Sequence, residues 1–186
     1  MSILRETALF SESLLFGKII QPGPGDVVKA LLGKALTKAL HVSEWQLHLI
    51  TSADDWQQYR EHRVVVEAQF GGTRADVERM IKIMHSRQTQ LSIQWYFLQA
   101  EERLGGVGLL EFEYQGTRSG RLQDIDIFPS YQGLGLGNVL LKAVEGLAYR
   151  KNLTYLYLGA DTNDWPLYWY QRHGYAELAR IKKVAD

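Results

Sequence analysis

Three glycines at every second position, Gly133, Gly135 and Gly137, lie in the stretch Tyr131–Asn138, YQGLGLGN. The alternating run LQDIDIFP leads into it and the helical run VLLKAVEGLAYRKN leads out. A loop between a strand and a helix leaves the backbone N–H groups of the helix start without partners. Glycine removes the Cβ atoms that would block an approaching anion, and the helix dipole adds partial positive charge. A pyrophosphate is the natural occupant. Three nucleotide motifs compete for this loop. The Walker A pattern fails because Asn138 follows Gly137 where lysine is required. The dinucleotide pattern G-x-G-x-x-G, started at Gly133, needs a glycine where Asn138 stands. The pattern that fits is Gln/Arg-x-x-Gly-x-Gly/Ala, met by Gln132, Gly135 and Gly137.

Other residue types narrow the chemistry. Asp124 and Asp126 are two apart on one strand and are expected to share a face opposite Ile125 and Ile127. A carboxylate buried beside a second one has a raised pKa and suits proton acceptance. Alternatively each is paired with a cation such as Arg121 and is structural. Glu111 and Glu113 on the neighbouring strand are weaker candidates for proton acceptance and fit a solvated strand face. His41 and His48 lack metal-ligand spacing, and His85 and His173 are expected at the surface, so no metal site is expected. Ser119 and Ser130 have no nucleophile motif around them. The chain has no cysteine, which excludes disulfides, thiolate metal sites and a cysteine nucleophile.

The elements that must position these residues follow from periodicity. WQLHLIT reads as a strand, and Ala53–Val66 and Thr73–Arg87 read as helices, the second capped by Thr73. SIQWYFLQA and VGLLEFEY read as strands joined by a turn around Gly105 and Gly106, and GRLQDIDIF as another strand. After the glycine loop comes a helix with Leu140, Val144, Leu147 and Ala148 on one face, then the strand TYLYLGA. A short helix over Pro166–His173 and a last strand from Tyr175 complete the order. The pattern is α/β or α+β, with a largely antiparallel first half. Upstream, QPGPGD at residues 21–26 reads as a connector. Leu4–Ile20 fits a helix. Asp26 is placed to cap a second helix through Leu40, whose stripe is Val28, Leu31, Leu32, Ala35, Leu36 and Ala39. That stripe is expected to pack on the chain's own body or on a second subunit. Residues 1–44 thus read as a helical extension and residues 45–186 as the main domain.

At this point IDIFPSYQGLGLGNVLL resembles the acetyl-CoA signature of the GNAT superfamily of N-acetyltransferases. Asn163, Tyr170, Gly174 and Tyr175 in NDWPLYWYQRHGY resemble that family's N…Y…G-F/Y ending. Gln132 stands where arginine is more common, which removes a cation near the phosphates, and Pro166 stands where alanine is frequent. The resemblance covers roughly residues 45–186 and implies the GNAT fold, a central mixed sheet of about six to seven strands flanked by helices. It implies transfer of an acyl group, most simply acetyl from acetyl-CoA, to a primary amine by direct attack in a ternary complex. Backbone N–H groups of Gln132, Gly133, Leu134, Gly135, Leu136, Gly137 and Asn138 would hold the pyrophosphate. Backbone around Ile127 and Phe128 would pair with the pantetheine amides as an added strand does, one N–H facing the thioester oxygen. Asn163 would hydrogen-bond the same arm, or else simply cap the helix that follows. Strands Leu122–Phe128 and Thr154–Ala160 would splay to admit the co-substrate. Tyr170, a phenol with pKa about 10, would give its proton to the departing thiolate. Asp124 or Asp126 would accept the amine proton, with Asp124 favoured as the one further from the loop. Trp165, Tyr168 and Trp169 are core residues or line the acceptor pocket.

Bulk properties agree. With 186 residues and 46% hydrophobic content the chain suffices for one globular domain. Lys plus Arg and Asp plus Glu number 21 each, so a general nucleic-acid binder is disfavoured. No run reaches the roughly 18 apolar residues of a membrane span, and Arg5, Glu6 and Glu12 interrupt any signal-peptide core. A cytoplasmic protein is expected, with an acyl-CoA and an amine acceptor (small molecule, peptide or protein lysine) as partners, and a homodimer as one way to cover the N-terminal stripe. The competing readings are a non-catalytic acyl-CoA-binding or regulatory domain, and an interaction module acting through residues 1–44.

Overall fold

Strand and helix patterns resolve into a mixed α/β architecture in a computed structural model, which describes residues 28–37, 46–114 and 116–182. Seven strands and four α-helices occur among these residues. They are β1 (Val28–Ala35), β2 (Gln46–Leu49), α1 (Ala53–Ala68), α2 (Arg74–Gln90), β3 (Ile93–Gln99), β4 (Arg103–Tyr114), β5 (Thr117–Ile127), α3 (Leu136–Arg150), β6 (Tyr155–Asp161), α4 (Trp165–Arg172) and β7 (Ala176–Lys182). From β2 onward the order is the one the periodicity predicts. The chain divides into a larger unit, residues 36–156, and a smaller one formed by the described residues 28–35 and 157–182.

In the larger unit β2, β3, β4 and β5 lie side by side, each antiparallel to the next. Both helices that cover one face begin with a capping box. Ser52 accepts from the Asp55 N–H while Asp55 accepts from the Ser52 N–H, and Thr73 and Asp76 do the same for α2. The two helices are tied by Arg74–Glu61 and Arg60–Glu78 ion pairs at 2.7 and 3.1 Å. Trp95 and Phe97 meet Tyr59 of α1 from this face, all three buried. Helix α3 packs on β4 and β5. Buried Leu140, Leu141 and Val144 line its apolar side, and Leu109 and Leu122 are buried in those strands. The carbonyl of Arg118 accepts from the Thr154 N–H at 2.9 Å and sets the entry to β6.

In the smaller unit β1 runs antiparallel to β7, and Lys29 reaches Asp161 of β6 at 3.8 Å. Ala30, Leu31, Leu32, Leu158, Leu167 and Tyr175 are buried here.

Two expectations need correction. The helix expected from Asp26 to Leu40 is, over its described residues, the strand β1. A bulge between Leu31 and Leu32 lets adjacent leucines both bury, so the apolar spacing imitates a helical stripe. Gly105 and Gly106 lie inside β4 rather than in a turn; the chain reverses at Ala100–Glu102, where the Ala100 N–H meets the Glu102 carbonyl at 3.1 Å. The glycines serve close packing instead. A Cβ on Gly106 would sit 2.8 Å from the Tyr59 ring, and one on Gly108 2.5 Å from Trp95. The expected helix at Leu4–Ile20 and the connector at 21–26 lie outside the described residues.

Candidate active site

The chemistry-bearing residues of the larger unit gather at the C-terminal end of β5. A single 3-10 turn, Pro129–Tyr131, carries the chain from β5 into the glycine loop. Gly133 and Gly135 adopt left-handed backbone, φ 78° and 75°, and Gly135 is the N-cap of α3. A Cβ at either would meet nothing within 4 Å, so glycine is required here by conformation rather than by crowding. No side chain caps this helix and its first turn has no acidic residue, in contrast to the boxed starts of α1 and α2. Leu136 is buried and anchors the helix, while Leu134 and Asn138 are exposed. Gln132 donates from Nε2 to the Ile127 carbonyl at 2.9 Å, tying the loop to the strand. An uncapped helix start presenting bare backbone fits a pyrophosphate.

The expected strand contacts are refined. The Phe128 N–H donates to the Leu104 carbonyl at 3.0 Å, so it is committed to β4. Antiparallel alternation then turns the N–H of Ile127 to the edge away from β4. Of the two residues expected to meet the pantetheine arm, Ile127 has the backbone donor suited to it.

Asp124 and Asp126 do not share a face as the alternation predicts. Gly106 lies opposite Asp126 and Gly108 opposite Gln123, so Asp124 and Ile125 together face Val107. This is a bulge, and Asp124 holds a positive φ of 45° in it. Its carboxyl is reached by water yet crowded by protein on its other sides. Burial raises its pKa and the Asp126 charge adds to the rise, while the Arg63 charge opposes both. Asp126 is the paired one, and its cation is not Arg121 but Arg63 of α1, which also binds Glu67. The Arg63 side chain is only 7% exposed, and its partners outweigh the desolvation that would lower its pKa. Tyr59, one turn earlier, is buried in the same cluster and its pKa is pushed up by that burial.

Helix α1 adds a residue that sequence reasoning missed. The His62 ring lies flat on Phe128, with centroids 4.0 Å apart and planes 4° from parallel. Burial lowers the His62 pKa, and the Arg103 charge lowers it further. The available signal was the helical spacing of Tyr59, Arg63 and Val66, which marks a stripe that buries an arginine. The remaining candidates fall elsewhere. Glu111 binds Lys151 at 2.6 Å and Arg118 at 3.3 Å, toward the opposite end of β4. His48 binds Asp55 at 3.1 Å, His85 is exposed, and His41 lies outside the described residues. No group of three or more potential metal ligands occurs among the described residues.

In the smaller unit, Tyr170 is buried on α4 between the rings of Trp169 and Tyr175, at 4.8 and 5.9 Å. Its carbonyl accepts from the N–H groups of His173 and Tyr175, closing the helix over Gly174, φ 86°. Asp164, not Asn163, caps α4, accepting from the Trp165 N–H at 2.7 Å. The capping alternative for Asn163 therefore falls, and its side chain is left exposed. Trp165 and Tyr168 are exposed too, at 68% and 62%, so these two aromatics are not core; Trp169 is half-buried.

Comparison with known proteins agrees with this geometry. A family model described as an acetyltransferase (GNAT) domain matches residues 92–177. Among solved structures, a functionally unknown conserved protein from Staphylococcus epidermidis ATCC 12228 is 17% identical with a TM-score of 0.59. That match covers 86% of this chain and 62% of the other, so the chain spans less than two thirds of that protein. A GCN5-related N-acetyltransferase from Ralstonia eutropha JMP134 is 18% identical, TM-score 0.56, covering 76% of this chain and 98% of that one. A predicted acetyltransferase from Clostridium acetobutylicum, solved with acetyl-CoA, is 12% identical, TM-score 0.52, covering 72% and 90%. Among curated proteins no sequence matches. Residues 92–177 thus match a GNAT acetyltransferase domain, and the chain shares the fold of these acetyltransferase structures.

Proposed function

We propose that this protein transfers an acetyl group from acetyl-CoA to a primary amine by direct attack in a ternary complex, using a transferase domain over residues 45–186. The observation that carries the reading is the uncapped start of α3. Two left-handed glycines expose backbone there, and Gln132 fastens the loop to the Ile127 carbonyl. The family's use of acetyl-CoA supports the same co-substrate. Residues 132–138 hold the pyrophosphate, the Ile127 N–H and Asn163 hold the pantetheine arm, and the thioester supplies the acyl group.

The amine arrives largely as an ammonium, since a Lys-like amine has pKa about 10.4. Asp124, crowded and raised, accepts its proton directly or through water. Asp126, held by Arg63, fixes the charge beside it. Tyr170 protonates the departing thiolate. The test is release of free thiol from acetyl-CoA and longer acyl-CoAs over a panel of small amines, peptide N-termini and lysine side chains. Amine-dependent release with acetyl-CoA is expected. Tight CoA binding with no release for any acceptor would replace this reading with a binding or regulatory domain.

A further inference from the structure

His62 reaches the same strand end as the glycine loop. Two adjacent side chains of α1 are pinned there: Arg63 to Asp126, and His62 to Phe128. Asp126 and Phe128 alternate on one face of the strand end, so the imidazole is held over that face in a fixed orientation. The residue is half-buried. Among the described residues its ring nitrogens have no hydrogen-bond partner, and neither is sealed from water. An imidazole stacked through its face, with its edge open, is available to a ligand. The charged groups that meet α1 or its cluster from elements packed against it include Arg103 of β4, Asp124 and Asp126 of β5, and Arg74, Glu78 and Arg87 of α2. Asp126 is matched by Arg63, and Arg74 and Glu78 by Glu61 and Arg60. Arg103 is itself matched by Asp55 of α1 at 2.9 Å; burial first, and the Arg103 charge second, oppose protonation of His62. Both effects disfavour the protonated ring, which suits a base.

We propose that His62 is a second proton acceptor of the acyl transfer, taking the proton that the amine nitrogen sheds as it bonds to the acyl carbon. This rests on the transferase reading above. The ammonium loses its first proton to Asp124 or water. The neutral nitrogen then forms the C–N bond and becomes positively charged, which makes its remaining N–H groups far more acidic. His62 takes one of them. The C–S bond breaks with its electron pair on sulfur, and Tyr170 supplies the proton that makes the thiol. Two protons leave the nitrogen and one reaches sulfur, so each turnover releases one proton, one amide and one thiol. The division of labour follows from acidity. The first loss is a pre-equilibrium with solvent that Asp124 relays, whereas the cationic nitrogen formed on attack is acidic enough for an imidazole to deprotonate directly.

The experiment uses the full chain as wild type, His62→Phe and His62→Gln. The phenylalanine keeps a ring on Phe128 and removes both nitrogens; the glutamine keeps hydrogen bonding and removes titration. Thermal melts check the fold, calorimetry gives CoA affinity, and thiol release with an accepted amine gives kcat and KM against pH. The expected wild-type profile of kcat/KM falls on the acid side with a pKa below the ordinary imidazole value of about 6.5. Both variants should lose about 10²-fold or more in kcat and lose that acid limb, with CoA affinity within about twofold of wild type. With kcat/KM referred to the free-amine concentration and both changes also made in the Asp124→Asn background, so that neither the amine nor Asp124 contributes, persistence of the acid limb in either folded variant overturns the proposal. Wild-type binding of CoA with no turnover on any amine overturns the transferase reading and this proposal together, and so is distinguishable from failure of His62 alone.

Discussion

In the proposed reaction a buried phenol, Tyr170, and a crowded carboxylate, Asp124, divide the acid and base work, and each role can be tested by a near-isosteric change. Tyr170→Phe keeps the contacts with Trp169 and Tyr175. The fold should survive while kcat falls by about 10²–10⁴, with CoA affinity unchanged. Asp124→Asn should lose activity at neutral pH and recover it as pH rises and more amine is neutral; Tyr170→Phe should show no such recovery. A pH–rate profile of both variants checks the contrast, and full activity in Tyr170→Phe removes the hydroxyl from the mechanism. A different carboxylate governs acid stability. Burial tends to raise the pKa of Asp55, but hydrogen bonds from Ser52 and Thr51 and the charge of His48 outweigh it and hold it at about 2. Its folded pKa lies below the unfolded value of about 3.9. The stabilisation is therefore complete above pH ~4 and is lost as pH falls toward ~2. Asp55 lies near the surface under its own partners, so screening limits the effect to about 1 kcal/mol. Asp55→Asn should flatten stability over that pH window in denaturant titrations; an unchanged slope would show that the cap does not control it.

Elements succeed or fail here by backbone that only glycine permits. Gly135→Glu places a side chain at φ 75° and a negative charge at the start of α3. CoA affinity should fall at least tenfold by calorimetry in a folded variant, and an unchanged affinity would rule the loop out. Gly108→Ala pushes a methyl into Trp95, and overpacking of this kind costs about 1–3 kcal/mol, readable as a lower melting temperature. Local patterns were the legible part of the molecule. The capping residue Thr73, the strand–loop–helix around Gly135 and every element from β2 to β7 could be read from the sequence because each is written in neighbouring residues. What stayed hidden depends on partners far along the chain. The bulge that turns Asp124 off the face of Asp126 exists because β4 supplies one residue against two. The cation for Asp126 comes from Arg63, and the ring on Phe128 from His62, each more than sixty positions away. A second bulge, between Leu31 and Leu32, gave β1 a helical spacing that only its pairing with β7 overrules.

The smaller unit depends on β1, which lies between β6 and β7. A variant beginning at His41 lacks β1 and leaves β7 without its antiparallel partner, with the apolar surroundings of Ala30, Leu31 and Leu32 opened to water. Such a variant should melt at lower temperature and self-associate in light scattering. Wild-type stability and size would mean that β1 does not hold β7 in place. The two units also differ in a way that makes them separately visible. Trp56 and Trp95 are buried in the larger unit, while the smaller holds Trp165, open to solvent, and half-buried Trp169. Indole emission is blue in an apolar core and red in water, and a neutral quencher reaches only the open rings. The emission of these four described tryptophans is therefore a sum of a shielded blue component and a quenchable red one. Heating should shift the blue component when the larger unit opens, and lifetime measurements on Trp165 should follow the smaller unit, so unlabelled protein can report whether the two melt together or in turn.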